Sequence, residues 1–365
     1  MGLMHAEQPA SADRLNPLGL TSPAFLAAAA ERGVREGRAM ELYRAFFRDG
    51  RAGADWIAPP APVIGGEQRE DATTKFTLRI DEQLETESVI LPYAGRTGRA
   101  RNTLCLSSQI GCAMGCTFCE TAQMGLMRNL SVEQIVGQWH AARFTFGTPI
   151  NNIVYMGMGE PMDNLDAVLG AIRVLADHNG PGIASSKIAV STVGRAEGIR
   201  QLRRLAEEPG FRRVQLAVSI NAPNDEIRSR IMPINRATNM AELREAMLEW
   251  PARNTRRILI EYVVIPGVND ALEHADELAA YLQPLLCTVN VIPYNPRRNS
   301  PWPAPRDEAV RAFMDRLIGH GLFVTRRRTM GRSLMGACGQ LGNEKIRRRR
   351  LVPIAIPASE TAGDP

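Results

Sequence analysis

The sequence predicts an α/β protein, a partial (βα)6 barrel with a small N-terminal accessory domain and a C-terminal extension. Two observations carry this. From Thr103 onward, six β-rich runs alternate with amphipathic helical stretches, and six βα repeats suit a partial barrel better than an open doubly wound sheet, a preference that comes partly from a family resemblance. The chain has 365 residues, 44% of them hydrophobic, enough for one large α/β core with an appendage. No internal repeat is visible.

Residues 1 to about 20 are polar and contain proline, which predicts a loose start. Ser22 to Asp49 reads as a helix, with Ser22-Pro23 as N-cap and N1 and with Leu42, Phe46 and Phe47 at helical spacing. The run Ala58-Pro59-Pro60-Ala61-Pro62 ends that pattern, and Lys75–Ile80 and Ser88–Leu91 read as the strands of a small hairpin unit. The barrel strands are expected at Thr103–Ser107, Asn152–Met156, Lys187–Val193, Val214–Ile220, Arg257–Ile265 and Thr288–Pro293. Ser131-Val-Glu-Gln134 is a capping box opening a helix with Val132, Ile135, Val136 and Trp139 on one stripe. A last helix, Arg306–Gly319, leads to an extra strand at Leu322–Arg326. The domain organisation expected is an accessory region over 1–97, a core over 98–333, and a C-terminal loop with a basic tail over 334–365.

Charge and cysteine usage narrow the function classes. The longest uncharged apolar stretch near the start, Pro23 to Ala30, is too short to span a bilayer, so no membrane partner is expected and the protein is read as cytoplasmic. Six cysteines, three of them clustered, point to metal binding and catalysis in a reducing compartment and away from a disulfide scaffold. Net charge is only +5, but Arg326–Arg327–Arg328 and Arg347–Arg348–Arg349–Arg350 crowd the C-terminal end. Such runs are either solvated faces or phosphate contacts, and their concentration admits a phosphate-backbone contact with a polyanion. Aromatics at 5% argue against a single-strand stacking platform.

The chemistry-bearing motif is Gly111-Cys-Ala-Met-Gly-Cys-Thr-Phe-Cys119, which offers Cys112, Cys116 and Cys119 from one short loop. A closed zinc site needs four protein ligands; three thiolates better fit an iron–sulfur cluster with one iron left open. This CxxxCxxC spacing resembles the radical S-adenosylmethionine (SAM) superfamily, which implies a [4Fe–4S] cluster whose open iron chelates SAM and cleaves it to a 5′-deoxyadenosyl radical. A zinc knot using Cys105 with the three remains an alternative. In a parallel barrel the functional groups sit at the C-terminal ends of strands. There the chain places Met156-Gly-Met-Gly-Glu-Pro161, Ser191-Thr192, Ser219-Ile-Asn221 and Asn295. Gly157 and Gly159 permit close ligand approach, and Glu160 accepts from an ammonium group. Cys338 lies in a glycine-flanked, mobile or tightly turned loop, whereas Cys287 reads as a core residue.

Ser107 to Cys119, Ala122-Gln123, Arg128-Asn129-Leu130 and Gly157 to Pro161 together closely resemble the RlmN/Cfr family of radical SAM RNA methyltransferases. Asn224 to Arg228, Met232 to Asn235, Glu261-Tyr-Val263 and Ala337 to Leu341 extend the resemblance over about residues 72 to 342. Before that it thins to Leu18-Gly-Leu20 and Glu41-Leu-Tyr43. The resemblance implies methylation of an adenosine ring carbon, C2 in RlmN and C8 in Cfr, with two SAM molecules consumed. It implies that Cys338 carries the methyl as S-methylcysteine, that Cys105 resolves the RNA adduct through a transient disulfide with Cys338, and that Glu87 is the proton acceptor. It implies SAM contacts at Gly159, Glu160, Ser191, Ser219, Ile220, Asn221 and Asn295. The family usually has His where this chain has Asn221, and Gly-x-Asp-Ile where it has Gly331-Arg332-Ser333-Leu334.

The expected function is therefore C2 methylation of adenosine in 23S rRNA, and of tRNA as a further substrate, with flavodoxin or ferredoxin as electron donor. C8 methylation or another RNA target is the alternative within the family, and a zinc-bound RNA-binding module is the alternative outside it. The GMGEP segment and the strand-end polar set count against the module, which needs no SAM pocket.

Overall fold

The computed structural model describes residues 14–342 except 61, 95–97, 99, 328–329 and 332. One ten-stranded sheet organises these residues. It opens with β1 (Val63–Glu70), β2 (Thr73–Arg79) and β3 (Glu85–Ala94), each antiparallel to the next, and β3 is antiparallel to β4 (Ala100–Cys105). Two two-residue strands, β5 (Gln109–Ile110) and β6 (Arg128–Asn129), form a separate ribbon that brackets the cysteine loop. The parallel part follows: β7 (Asn152–Tyr155), β8 (Ile188–Thr192), β9 (Gln215–Ser219), β10 (Ile258–Val264), β11 (Cys287–Pro293) and β12 (Val324–Arg326). The order is β1-β2-β3-β4-β7-β8-β9-β10-β11-β12, parallel from β4 to the end. All six expected barrel strands form.

Helices cover the outer face because their apolar stripes pack on a strand layer that is buried on both sides. Leu104, Ile153, Ile188, Val190, Val218, Ile260 and Val289 are fully buried, and Ile172, Leu202, Leu278 and Phe313 meet them from the helices. Ser131 caps the helix Val132–His140 as the sequence predicts, with both halves of the capping box made. Cys287 lies in the core on β11, 3% exposed.

Three expectations need correction. The helix expected from Ser22 to Asp49 is two, Ser22–Ala30 and Glu36–Asp49, separated by a turn through Gly33. Thr21, not Ser22, occupies the first N-cap, and the second helix stops at Gly50, before the proline-rich run. The hairpin unit has a third strand, β1, whose side chains are exposed or half-buried, so no apolar alternation marks it in the sequence. The N-terminal helices dock on the first barrel helix through aromatic rings, with Phe47 6.0 Å from Trp139 and Phe46 6.0 Å from His140.

Candidate active site

At the C-terminal ends of the parallel strands lies one cavity, with about 960 Å³ between its walls. Cys112, Cys116, Cys119, Gly159, Glu160, Ser191, Ser219, Asn221, Asn295 and Cys338 all line it. Residues drawn from five strand ends and a C-terminal loop therefore converge on one place. Ile220 does not line it: its side chain is buried in the core, and its N–H donates to the Glu261 carbonyl.

The cysteine loop leaves β4 and is pinned at both ends. Cys112 N–H donates to Gly125 O at 3.0 Å, and Thr117 N–H to Ile231 O at 3.0 Å. Met114, Phe118, Ile231, Met232, Ile265 and Tyr294 pack around the thiols as a second, smaller core. Burial pushes all three thiols above their ordinary pKa, and the charges of the three act on one another. Behind Cys116 stands Arg228, fully buried, donating to Ile220 O, Asn235 Oδ1, Thr238 O and Val193 O.

The Gly157-Met-Gly-Glu run owes its glycines to the chain itself. A Cβ on Gly157 would stand 2.6 Å from Ser107 Oγ, and one on Gly159 would stand 2.5 Å from the Gln109 side chain. Gly159 also has φ +98, a backbone angle closed to residues with a side chain. The close approach foreseen for a ligand is thus first an approach of β7's end to the loop after β4. Glu160 is buried, accepting from Met162 N–H at 3.0 Å and Val193 N–H at 2.8 Å, and burial raises its carboxyl to about 7. Asn221 stands at φ +55, where Asn is tolerated, and its Oδ1 accepts from Val263 N–H at 2.9 Å.

Cys338 is carried by a tightly turned loop strapped to the cysteine loop. Glu120 N–H donates to Gly339 O at 2.7 Å, Thr121 Oγ1 to Leu341 O at 2.6 Å, and Gln340 Nε2 to Pro296 O at 3.0 Å. Glu87 holds the far end, accepting from Gly342 N–H at 3.0 Å and from Lys75 Nζ at 3.1 Å, while Lys75 also donates to Leu334 O and Met335 O. Glu87 and Lys75 line an adjoining groove together with Arg298, Ser333 and Gly342. Cys105, at the end of β4, is close enough to Cys338 for the Cys338 charge to help raise its pKa; neither is in a disulfide.

Three residues of this site escape sequence reasoning. Gln138 is a buried amide on an otherwise amphipathic helix: its Oε1 accepts from Ser88 Oγ at 2.7 Å and Ser107 N–H at 2.9 Å, and its Nε2 donates to Ser107 O at 2.9 Å. Glu261, a carboxylate inside the parallel strand β10, accepts from Ser191 Oγ at 3.0 Å and Ser219 Oγ at 3.4 Å. A charge within a buried strand run is the signal that could have found it. Arg327 pairs with it at 3.2 Å. The arginine run 326–328 is therefore not a uniform phosphate-contact face: Arg326 bonds Asp307 on the surface and Arg327 turns into the cavity. Arg328, Arg332 and Arg347–Arg350 lie outside the described residues.

Comparison with known proteins adds the decisive observation. Residues 106–279 match the model of the radical SAM superfamily. The chain is 41% identical to a probable dual-specificity RNA methyltransferase RlmN of Protochlamydia amoebophila, over 78% of this chain and 76% of that one. It is 42% identical to the dual-specificity RNA methyltransferase RlmN of Halorhodospira halophila, over 81% of this chain and 80% of that one. The chain belongs to the RlmN/Cfr family of radical SAM RNA methyltransferases. The crystal structure of a radical SAM methyltransferase from Sphaerobacter thermophilus superposes with a TM-score of 0.80 at 35% identity, covering 89% of this chain and 98% of that one. The fold class read from the sequence stands, and the protein is a SAM-dependent RNA methyltransferase with RNA as its partner and a [4Fe–4S] cluster and SAM as its cofactors.

The donor set of the cavity fits those RlmN/Cfr cofactors. Cys112, Cys116 and Cys119 share its wall, yet among the described residues no three His, Cys, Asp or Glu side chains converge as ligands of one metal ion. A single zinc ion would draw every sulfur to about 2.3 Å from one point, whereas a cluster presents three separate irons. Cys105 feels the charges of Cys338 and Arg327 and does not line the cavity with the three. Buried thiols pushed toward the protonated form also need a strong positive charge to ionise, which a bound cluster supplies. Among the described residues no helix is long and apolar enough to cross a membrane.

Proposed function

We propose that this enzyme methylates C2 of an adenosine in 23S rRNA, and in tRNA as a second substrate, through S-methylation of Cys338. The reading is carried by one observation: Cys338 lines the same cavity as the cluster cysteines, on a loop bonded to the residues that follow Cys119, with Cys105 near it. The relatives named dual-specificity RNA methyltransferase support the two RNA classes.

Bound in the cavity, the cluster and SAM supply first a methyl group and then a hydrogen-abstracting radical. The chain's own residues do the rest. Cys112, Cys116 and Cys119 hold the cluster. Gly159, Glu160, Ser191, Ser219, Ile220, Asn221 and Asn295 form the SAM contacts, Glu160 facing the ammonium group and Ile220 contributing through its backbone and the packing behind it. Cys338 Sγ takes the methyl group. Once its carbon is joined to the base, Glu87 would take the ring proton from the groove side as the odd electron returns to the cofactors, and the Cys105 thiolate would attack the Cys338 sulfur; the S–C bond breaks, its electron pair takes up a proton to complete the methyl group, and a disulfide is left for cellular thiols to reduce. Flavodoxin or ferredoxin in the cytoplasm would deliver the electrons, and residues 1–97, 98–333 and 334–365 would act as accessory region, core, and carrier loop with basic tail.

Two variants test the scheme. Cys338→Ala should lose methylation without trapping RNA, whereas Cys105→Ala should accumulate a covalent protein–RNA adduct visible on a denaturing gel. A Cys338→Ala enzyme that methylates adenosine carbon at the normal rate would sink the carrier mechanism. Mass spectrometry of 2-methyl- against 8-methyladenosine in RNA from cells with and without the protein decides the ring position, 8-methyladenosine overturning the C2 reading.

A further inference from the structure

Arg327 continues β12 for one residue, its N–H donating to Val291 O at 2.9 Å. Because successive residues of an extended segment face opposite ways, Arg326 reaches Asp307 on the surface and Arg327 enters the cavity. There its NH1 meets Glu261 Oε1 at 3.2 Å and the Met156 sulfur at 3.5 Å. Glu261 gives its other oxygen to Ser191 and Ser219, so one carboxylate ties two SAM-side hydroxyls to one guanidinium. Cys338 lines the same cavity, and the charges of Cys338 and Cys105 both act on Arg327.

We propose that Arg327 is the counter-charge that keeps Cys338, and afterwards Cys105, reactive as thiolates, and that Glu261 is the positioning residue that aims it. The proposal rests on the reading of Cys338 as methyl carrier. In the methylation the thiolate's electron pair forms the new S–C bond to the methyl carbon, the bond from that carbon to the sulfonium breaks, and its electrons leave with the neutral thioether; the Cys338 proton has already passed to water. Burial alone opposes this, raising both thiols, Cys105 to about 12, while Arg327 pulls the Cys338 value back and Glu261 pushes it up. Once methylated, Cys338 is neutral, and the guanidinium is left to serve the thiolate of Cys105, which must later attack the Cys338 sulfur.

The pH profile of iodoacetamide alkylation at unmethylated Cys338, followed by peptide mass spectrometry on the anaerobically reconstituted full chain, reads the thiolate directly. Arg327→Gln should move the profile up by about one pH unit or more and slow alkylation at pH 8 about tenfold. Arg327→Lys should stay near wild type. Glu261→Gln, whose amide oxygen still accepts from Arg327 and so keeps it aimed while a negative charge beside the thiol is removed, should move the profile down. A profile unchanged in Arg327→Gln, or a Glu261→Gln profile shifted up like that of Arg327→Gln, would overturn the proposal. If Arg327→Gln loses its cooperative thermal melt, the unshifted profile expected of Arg327→Lys and the downward shift expected of Glu261→Gln decide alone. Failure of wild-type Cys338 to take a methyl from SAM would instead defeat the carrier reading and leave the thiolate profile to be judged separately.

Discussion

Replacing Gln138 by Leu keeps the volume of the side chain and removes three buried hydrogen bonds. Ser88 Oγ, Ser107 N–H and Ser107 O each lose the partner they have at 2.7 to 2.9 Å. Ser88, Ser107 and Gln138 are all fully buried, so water does not replace the amide without opening the layer between β3 and the helix Val132–His140. At about 1–3 kcal/mol per orphaned buried group, the loss should come to roughly 3–9 kcal/mol, a large share of a domain's stability. Ser88→Ala alone should cost about 1 kcal/mol, because Gln138 keeps both bonds to Ser107. Ser107 also links Glu87 O at 2.6 Å and Met158 N–H at 2.8 Å, so the displaced segment carries Glu87 and the GMGEP turn with it. Urea unfolding of Gln138→Leu, Ser88→Ala and the double variant, with RNA methylation assayed alongside, measures both effects. A Gln138→Leu loss below about 1 kcal/mol with normal methylation would refute the claim that this amide sets the register of the site.

Alanine at Cys112, Cys116 and Cys119 together should abolish the cluster's visible absorption after anaerobic reconstitution, and retained absorption would remove the cluster from this loop. Gly159→Ala should destabilise the chain by about 1–3 kcal/mol, because the new Cβ meets Gln109 at 2.5 Å on a backbone held at φ +98; thermal melting checks it. His140 is 4% exposed, and neither ring nitrogen has a well-formed hydrogen bond among the described residues. Burial lowers its pKa from 6.5 to about 4, and the nearby Gly50 backbone opposes the shift without making a full bond. The unfolded chain therefore binds the extra proton between those values, so the stability this group contributes is full above pH 6.5 and falls by about 3 kcal/mol on acidification to pH 4. His140→Phe should flatten that part of the pH dependence in denaturant titrations; an unchanged slope would refute it.

Much of the fold and most of the site were legible because local chemistry announces them. The cysteine spacing, the Gly-Met-Gly-Glu turn and the Ser131 capping box each act over a few residues, and the structure builds them where the sequence places them. What stayed hidden depends on partners far away in the chain. Gln138 looks like a polar face residue until Ser88, 50 positions earlier, is brought onto it. Arg327 looks like one of three surface cations until the alternation of side chains along the extended chain separates it from Arg326. Glu261 was quoted within a motif without a role, since its role exists only when three strand ends meet. The exposed strand β1 lacked the one-sided apolar pattern that sequence reading needs.

The strap between the two loops of the site bears on the order in which the molecule assembles. Thr121 meets Leu341 across 220 positions of chain, and Glu87 meets Gly342 across 255. Closing so long a span costs little more than closing a shorter one, since each doubling of length adds only about 0.6 kcal/mol. Such contacts are nevertheless late in folding, because the intervening sheet must exist before its two margins can be joined. During synthesis the cysteine loop emerges well before the segment that completes it, so it waits with its thiols uncovered until the last strand has been laid down. Cys338 and the cysteine loop are thus brought together only at the final step of folding.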